Sequence, residues 1–180
     1  IEDNKTSQIP VEMTMKPPSL SEKLLVDAHK EHGVEKVELV GKKISDLSPF
    51  AKLAKDTIHL DLSDNEIIDV SALAGLQKLE WLNLSGNMIE NVRPLEALTR
   101  LKHLDLGSNR IDDLSPLGAL PKLEYLDLRS NYVEIVSVLK NLPKLKHLIL
   151  YDQKATGKVR TELRRGGRRL VIVDEERFIV

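Results

Sequence analysis

Apolar and polar positions in the middle of this chain fall into a fixed frame of 22 residues. Leu79, Leu82, Leu84 and the polar Asn87 recur as Leu101, Leu104, Leu106 and Asn109, then as Leu123, Leu126, Leu128 and Asn131. Between them, Ile89, Val92, Pro94, Leu95 and Leu98 return as Ile111, Leu114, Pro116, Leu117 and Leu120. Two leucines flanking one residue, as Leu104 and Leu106 flank Asp105, leave a short strand on the same side and enter a core. The asparagine follows where the chain turns. Its amide offers two donors and an acceptor to backbone groups that would otherwise be buried unpaired, at about 1–3 kcal/mol each. Each unit thus predicts a strand, a turn and a return. None can cover its own apolar edge, so the units must stack into a solenoid.

The pattern Leu-x-x-Leu-x-Leu-x-x-Asn-x-Ile resembles the leucine-rich repeat family. Its 22-residue form, with Asp113 to Leu117 reading Asp-Leu-Ser-Pro-Leu, looks most like bacterial internalins. The leucine-rich regulatory subunits of protein phosphatases share that length. The resemblance is strong over Val34 to Asp152 and weak at both ends. It implies an α/β leucine-rich-repeat solenoid, with a curved parallel sheet on the concave face and short helical, 3-10 or irregular segments on the convex side.

The ends depart from the frame in a way that predicts caps. Residues 1–18 show no sustained period and read as a flexible tail. Asn4-Lys5-Thr6 has the N-glycosylation pattern, read here as ordinary polar tail. Ser19 with Glu22 has capping-box spacing, and Leu20, Leu24, Leu25 and Ala28 share a helical face, so residues 19–33 predict an N-terminal cap helix ending near Gly33. His29 and His32 suit its last turn by charge. Repeats occupy 34–152. The first uses Val34, Val37 and Leu39, carries Lys42 where asparagine belongs, and is one residue longer around Ala54 to Thr57. Asn65, Asn87, Asn109 and Asn131 form the ladder, and Gln153 replaces the next member. Residues 153–180 predict a C-terminal cap. Lys158 to Arg165 reads as a helix ended by Gly166 and Gly167. Leu170 and Ile172, 22 beyond Leu148 and Leu150, suggest a seventh parallel strand, with Phe178 to Val180 folding back on the last coil.

Composition narrows the function. At 180 residues and 41% hydrophobic content the chain can build one substantial core, and with 3% aromatic residues that core is aliphatic. A net charge of −1 argues against blanket neutralisation of nucleic acid. The segment 153–180 is basic, with eight Lys or Arg against four Asp or Glu, while the remainder has 19 against 24. Without cysteine there is no disulfide, thiol catalysis or Cys-type zinc site. No apolar run reaches membrane-span length and no signal peptide is visible, though a start at Ile1 leaves room for an export signal removed by processing.

Stacked coils align equivalent residues about 4.8 Å apart, so the candidate site can be read as columns. One column is Lys36, His59, Trp81, His103, Tyr125, His147 and Arg169. Its neighbour is Glu38, Asp61, Asn83, Asp105, Asp127, Ile149 and Val171, with Arg129 close by. The core requires none of these types. Trp and Tyr on a rigid sheet are binding anchors, so His59, Asp61, Trp81, Asn83, His103, Asp105, Tyr125, Asp127, Arg129 and His147 are the expected protein-binding face. Ile149, Tyr151, Val171 and Val173 are expected to form an apolar patch at its end. His59/Asp61 and His103/Asp105 have metal-ligand chemistry, but a coil carrying Trp81 separates them, about 10 Å apart across two steps. No phosphate-cradling glycine loop, His-Glu-x-x-His or nucleophile elbow occurs, and the Arg160, Arg164, Arg165, Arg168, Arg169 run lacks interleaved aromatics.

The expectation is therefore a non-catalytic protein-recognition module, monomeric, without cofactor, nucleic acid or membrane insertion. Resemblance to internalins implies a secreted or cell-surface bacterial protein, placed ahead of a cytoplasmic one. Resemblance to the phosphatase subunits implies instead an intracellular adaptor. A metal-dependent enzyme is the least favoured alternative.

Overall fold

The computed structural model describes residues 19–32, 35–150, 171–174 and 177–179. A cap helix, α1 (Leu20–His32), precedes a sheet of β1 (Lys36–Glu38), β2 (His59–Asp61), β3 (Trp81–Asn83), β4 (His103–Asp105), β5 (Tyr125–Asp127), β6 (His147–Ile149), β7 (Val171–Asp174) and β8 (Arg177–Ile179), lying side by side in chain order. All neighbours from β1 to β7 pair in parallel. Three-residue strands suffice from β1 to β6 because the middle residue of each, Leu60, Leu82, Leu104 and so on, is fully buried. A fully buried leucine contributes about 1.5–3 kcal/mol relative to an exposed one.

On the opposite side each coil returns through one short helix. The first coil uses an α-helical turn, α2 (Phe50–Leu53), which absorbs its extra residue: Val37 pairs with Leu60 at an offset of 23, against 22 for the next four pairs. Four later coils use 3-10 helices at Ser71–Gly75, Arg93–Ala97, Ser115–Ala119 and Ser137–Asn141, each with one buried leucine. The tighter helix suits a five-residue link that needs only one inward side chain. An Asx turn opens four of the five returns, the Asp69 and Asp113 Oδ1 atoms accepting from the Ser71 and Ser115 N–H groups at 2.8 Å; Ile135 takes that position before the fifth.

The ladder asparagines sit where the chain leaves the sheet. Asn109 donates through Nδ2 to the carbonyls of Leu84 (2.9 Å), Leu106 (3.1 Å) and Gly107 (3.2 Å), and its Oδ1 accepts from the Ile89 N–H at 3.0 Å. Asn65, Asn87 and Asn131 repeat this arrangement, and all four are buried. Asn65 accepts from both Lys42 and Ile44 N–H groups. The predicted ladder is therefore present, with every member tying two coils together.

The N-terminal cap has the expected start: the Ser19 hydroxyl accepts from the Glu22 N–H at 3.1 Å. Leu25 and Ala28 are buried as α1 packs on β1 and α2. Leu20, placed on the same face from sequence, is the first residue of the helix and is 55% exposed.

At the other end β7 is parallel to β6, as expected, but two residues out of the predicted frame. His147, Leu148 and Ile149 pair with Val171, Ile172 and Val173, an offset of 24. The concave columns thus end on Val171 and Val173, not on Arg169 and Val171. A slip of two preserves the alternation of faces, so the pattern alone could not distinguish the two registers. β8 folds back antiparallel onto β7, pairing Phe178 with Val173. Phe178 and Ile179 therefore return in an edge strand, while Val180 lies outside the described residues. The predicted tail, the Lys158 to Arg165 helix, Val34, Tyr151 and Gln153 lie outside the described residues.

Candidate functional site

Parallel pairing brings the predicted columns together as read. His59 is opposite Trp81, Trp81 opposite His103, His103 opposite Tyr125 and Tyr125 opposite His147. Their rings go further than shared placement. His59 and Trp81 stack with centroids 3.9 Å apart and planes 7° from parallel, Trp81 and His103 at 5.0 Å and 9°, and His103 and Tyr125 at 4.1 Å and 7°. The stack loosens at Tyr125 and His147, at 6.4 Å and 39°. Strand spacing of about 4.8 Å exceeds the roughly 3.5–4 Å at which ring faces touch, so rings at one position of successive coils lean toward one another to close face to face. The faces of the half-buried Trp81 and His103 are taken up by their neighbours. What remains for a partner is edges, where the indole N–H and imidazole nitrogens lie.

The neighbouring polar column has a structural duty the sequence reading missed. Asp61 Oδ1 accepts from the Ser63 N–H at 2.9 Å and its hydroxyl at 2.7 Å, and Asn83 Oδ1 takes the same two donors of Ser85. Asp105 accepts from the Gly107 N–H, and Asp127 from the Arg129 N–H, both at 2.9 Å. Each residue therefore closes an Asx turn at the exit of its strand. The signal was present as Asp-x-Ser, Asn-x-Ser, Asp-x-Gly and Asp-x-Arg at one position of four coils.

One member differs in accessibility. Asp127 is fully buried, held by the guanidinium of Arg129, so it cannot present the open carboxylate expected of it. Arg129 reaches this pose across Gly107, where an added Cβ would lie 3.0 Å from its Cγ. Asp105 remains partly open. Its burial, with the Asp127 and Asp61 charges, pushes its carboxyl above the ordinary range, against the Gly107 N–H and Arg129. Burial, followed by the Lys36 charge, pushes His59 below the usual imidazole value, and burial, followed by His59, does the same to His103. His147 is exposed at the loose end, and Ile149 beside it is half-buried.

The same geometry weighs against a shared metal ion at His59 and His103, because the indole of Trp81 fills the space between the two imidazoles. Among the described residues no group of three or more His, Cys, Asp or Glu is placed to hold a metal, and no described helix is long and apolar enough to cross a membrane. Outside the columns, Lys78–Asp56 and Lys102–Glu80 pair across adjacent coils at 2.6 Å, and Lys146 pairs with Glu124 at 2.5 Å. These are exposed pairs at an offset of 22, whose attraction is largely screened by water.

Comparison with known proteins places the frame. The leucine rich repeat family pattern matches residues 32–89 and 99–152, and its two-copy form matches 77–119. No curated protein sequence matches the chain. Among solved structures, an internalin from Listeria monocytogenes is similar at 22% identity and a TM-score of 0.75, over 91% of this chain and 52% of that one. A leucine-rich repeat protein of Leptospira interrogans is similar at 21% identity and a TM-score of 0.58, over 73% and 40%. The chain thus spans about half the length of the first and two fifths of the second, and at these identities the likeness is one of fold.

Proposed function

Because the chain belongs to the leucine-rich repeat family, we propose that it is a non-catalytic recognition module that binds a protein partner on the concave face of the sheet. Family and fold support a protein-interaction module. The observation that carries the location is the stacked His59–Trp81–His103–Tyr125 column. Core packing requires none of those side chains, yet they are held rigid by one another. A pre-ordered row of ring edges loses little entropy on binding and offers directional donors. Asp61 and Asp105 beside it add negative charge, so the matching surface carries donors or cations. Trp81 and Tyr125 are the anchors in this reading.

The test is capture from a lysate with three versions of the chain: wild type, Trp81→Ala/Tyr125→Ala, and Lys122→Glu/Lys144→Glu on the flank, each first checked for native circular dichroism. A partner kept by the flank variant and lost by the concave variant supports the reading. Anchor truncations of this kind cost about 2 kcal/mol each, roughly 30-fold in affinity. Capture that is the same for wild type and the concave variant, but changed by the flank variant, overturns it.

A further inference from the structure

Two of the five histidines, His59 and His103, lie against opposite faces of the chain's one tryptophan. Imidazole is the one ring type in this stack whose charge changes near neutral pH. Its two forms behave differently there. A neutral imidazole packs as an aromatic ring, whereas an imidazolium, though drawn to the indole face as a cation, must give up hydration inside the stack and repels a second cation nearby.

The surroundings decide how hard protonation is. His59 is faced by Lys36 and Glu38 from β1, by Asp61 on its own strand and by Trp81 from β3. His103 is faced by Trp81 and Asn83 from β3, by Asp105 on its own strand, and by Tyr125 and Asp127 from β5, with His59 two strands away. Lys36 and the opposing histidine resist a proton, while Glu38, Asp61 and Asp127 favour one. Desolvation in the stack exceeds the favourable charges, so both imidazoles are neutral when the stack is closed at neutral pH.

We propose that the His59–Trp81–His103 stack is a proton-operated switch on the recognition face: closed and neutral at neutral pH, opened by proton uptake in mildly acidic surroundings, with release of a partner selected by the neutral surface. The closed face is net negative through Asp61 and Asp105. Two imidazoliums cancel that charge, and protonation of Asp105, whose carboxyl is already held above its ordinary range, moves the balance the same way. A partner drawn by the neutral-pH field therefore meets a face that has lost both its charge and its ordered edges. The consequence for binding rests on the concave-face reading above. The switch itself belongs to the unliganded chain, so the two can fail separately.

Trp81 is its own reporter, since no other tryptophan contributes to emission. The experiment follows Trp81 fluorescence and its quenching by acrylamide from pH 8 to pH 5 in the full chain. It compares wild type, His59→Gln, His103→Gln and the double variant, with far-ultraviolet circular dichroism confirming the coils throughout. The expected result is a sigmoidal change with its midpoint below the ordinary imidazole value of 6.5, accompanied by rising acrylamide access. In His59→Gln the midpoint moves up, because the charge opposing His103 is gone, and in the double variant the transition is absent. Flat wild-type emission, unchanged acrylamide access, or an identical titration in the double variant overturns the proposal. Should the glutamine variants misfold, imidazole nitrogen–proton correlation spectra of the wild type decide. Midpoints at or above 6.5 for both stacked histidines reject the switch, and midpoints below it that coincide with the Trp81 transition support it.

Discussion

Replacing Asn109 by leucine tests the ladder most directly, because the structure says which groups would be stranded. Three carbonyls lose a donor, but each keeps another. Leu84 retains the Asn87 amide at 3.0 Å, Leu106 the Asn131 amide at 2.9 Å, and Gly107 the Gly86 N–H at 2.9 Å. The Ile89 N–H is different, because its acceptor is the Asn109 Oδ1. One buried donor is therefore orphaned, a cost of about 1–3 kcal/mol. For a chain of this size that corresponds to a fall in Tm of about 2–12 °C. Urea unfolding should be followed by both Trp81 fluorescence and circular dichroism, since a solenoid can lose two-state behaviour. Asn91→Ala is the control: Asn91 is exposed and caps only the Arg93 N–H, so its loss should cost about 0.5–1 kcal/mol, as for other caps. An Asn109→Leu midpoint equal to that of Asn91→Ala, or unchanged hydrogen exchange at Ile89, would refute the reasoning.

Asp105→Asn should stabilise the protein at neutral pH, read as a rise in Tm. The amide keeps the acceptor for the Gly107 N–H and removes a carboxylate that Asp127 and Asp61 repel. Because the folded-state pKa of Asp105 is raised, its ionisation costs stability as pH rises through that value. The advantage of asparagine must therefore shrink on acidification and vanish below the ordinary carboxyl value of 3.8. A pH-independent difference, or a destabilised variant at neutral pH, contradicts this account. Gly86→Ala tests the coil-to-coil approach: at φ +68° its Cβ would sit 2.3 Å from Asp64 Oδ1. Ser108 and Ser130 carry side chains at φ 54° and 51°, so backbone conformation alone is tolerable. The variant should lose about 1–3 kcal/mol, and a double-mutant cycle with Asp64→Ala should recover part of it. Equal losses in both backgrounds would assign the whole cost to conformation.

The frame was legible because burial repeats it. Each leucine of a coil faces the same leucine of the next, so the sequence period, strand order and asparagine ladder are one fact seen three ways. The longer first coil was legible too, as a count from Lys42 to Asn65. Two kinds of information were hidden. Whether the His59, Trp81, His103 and Tyr125 rings lie flat on the sheet or lean on one another depends on side-chain torsions that spacing does not fix. The burial of Asp127 needs three coincident choices: an arginine two residues on, a glycine in the coil before, and a carboxylate between. Column reading takes positions singly and so credited Asp127 with an accessible charge. The two-residue slip at β7 escaped for another reason, since both registers put alternate apolar residues on the same face.

Stacking changes what the concave face can recognise. Rings lying flat would offer apolar faces, and such a surface takes up planar or aliphatic groups with little regard for direction. Here those faces are spent on one another. The edges left over carry N–H and ring nitrogen groups at intervals set by the sheet, beside polar side chains whose own turns hold them in place. Selectivity on such a face comes from matching hydrogen bonds, and a mismatched partner leaves desolvated donors without acceptors at about 1–3 kcal/mol each. The same interlocking makes the surface collective. A change at one ring is felt through its two neighbours, which gives protonation of His59 or His103 a route to the whole row.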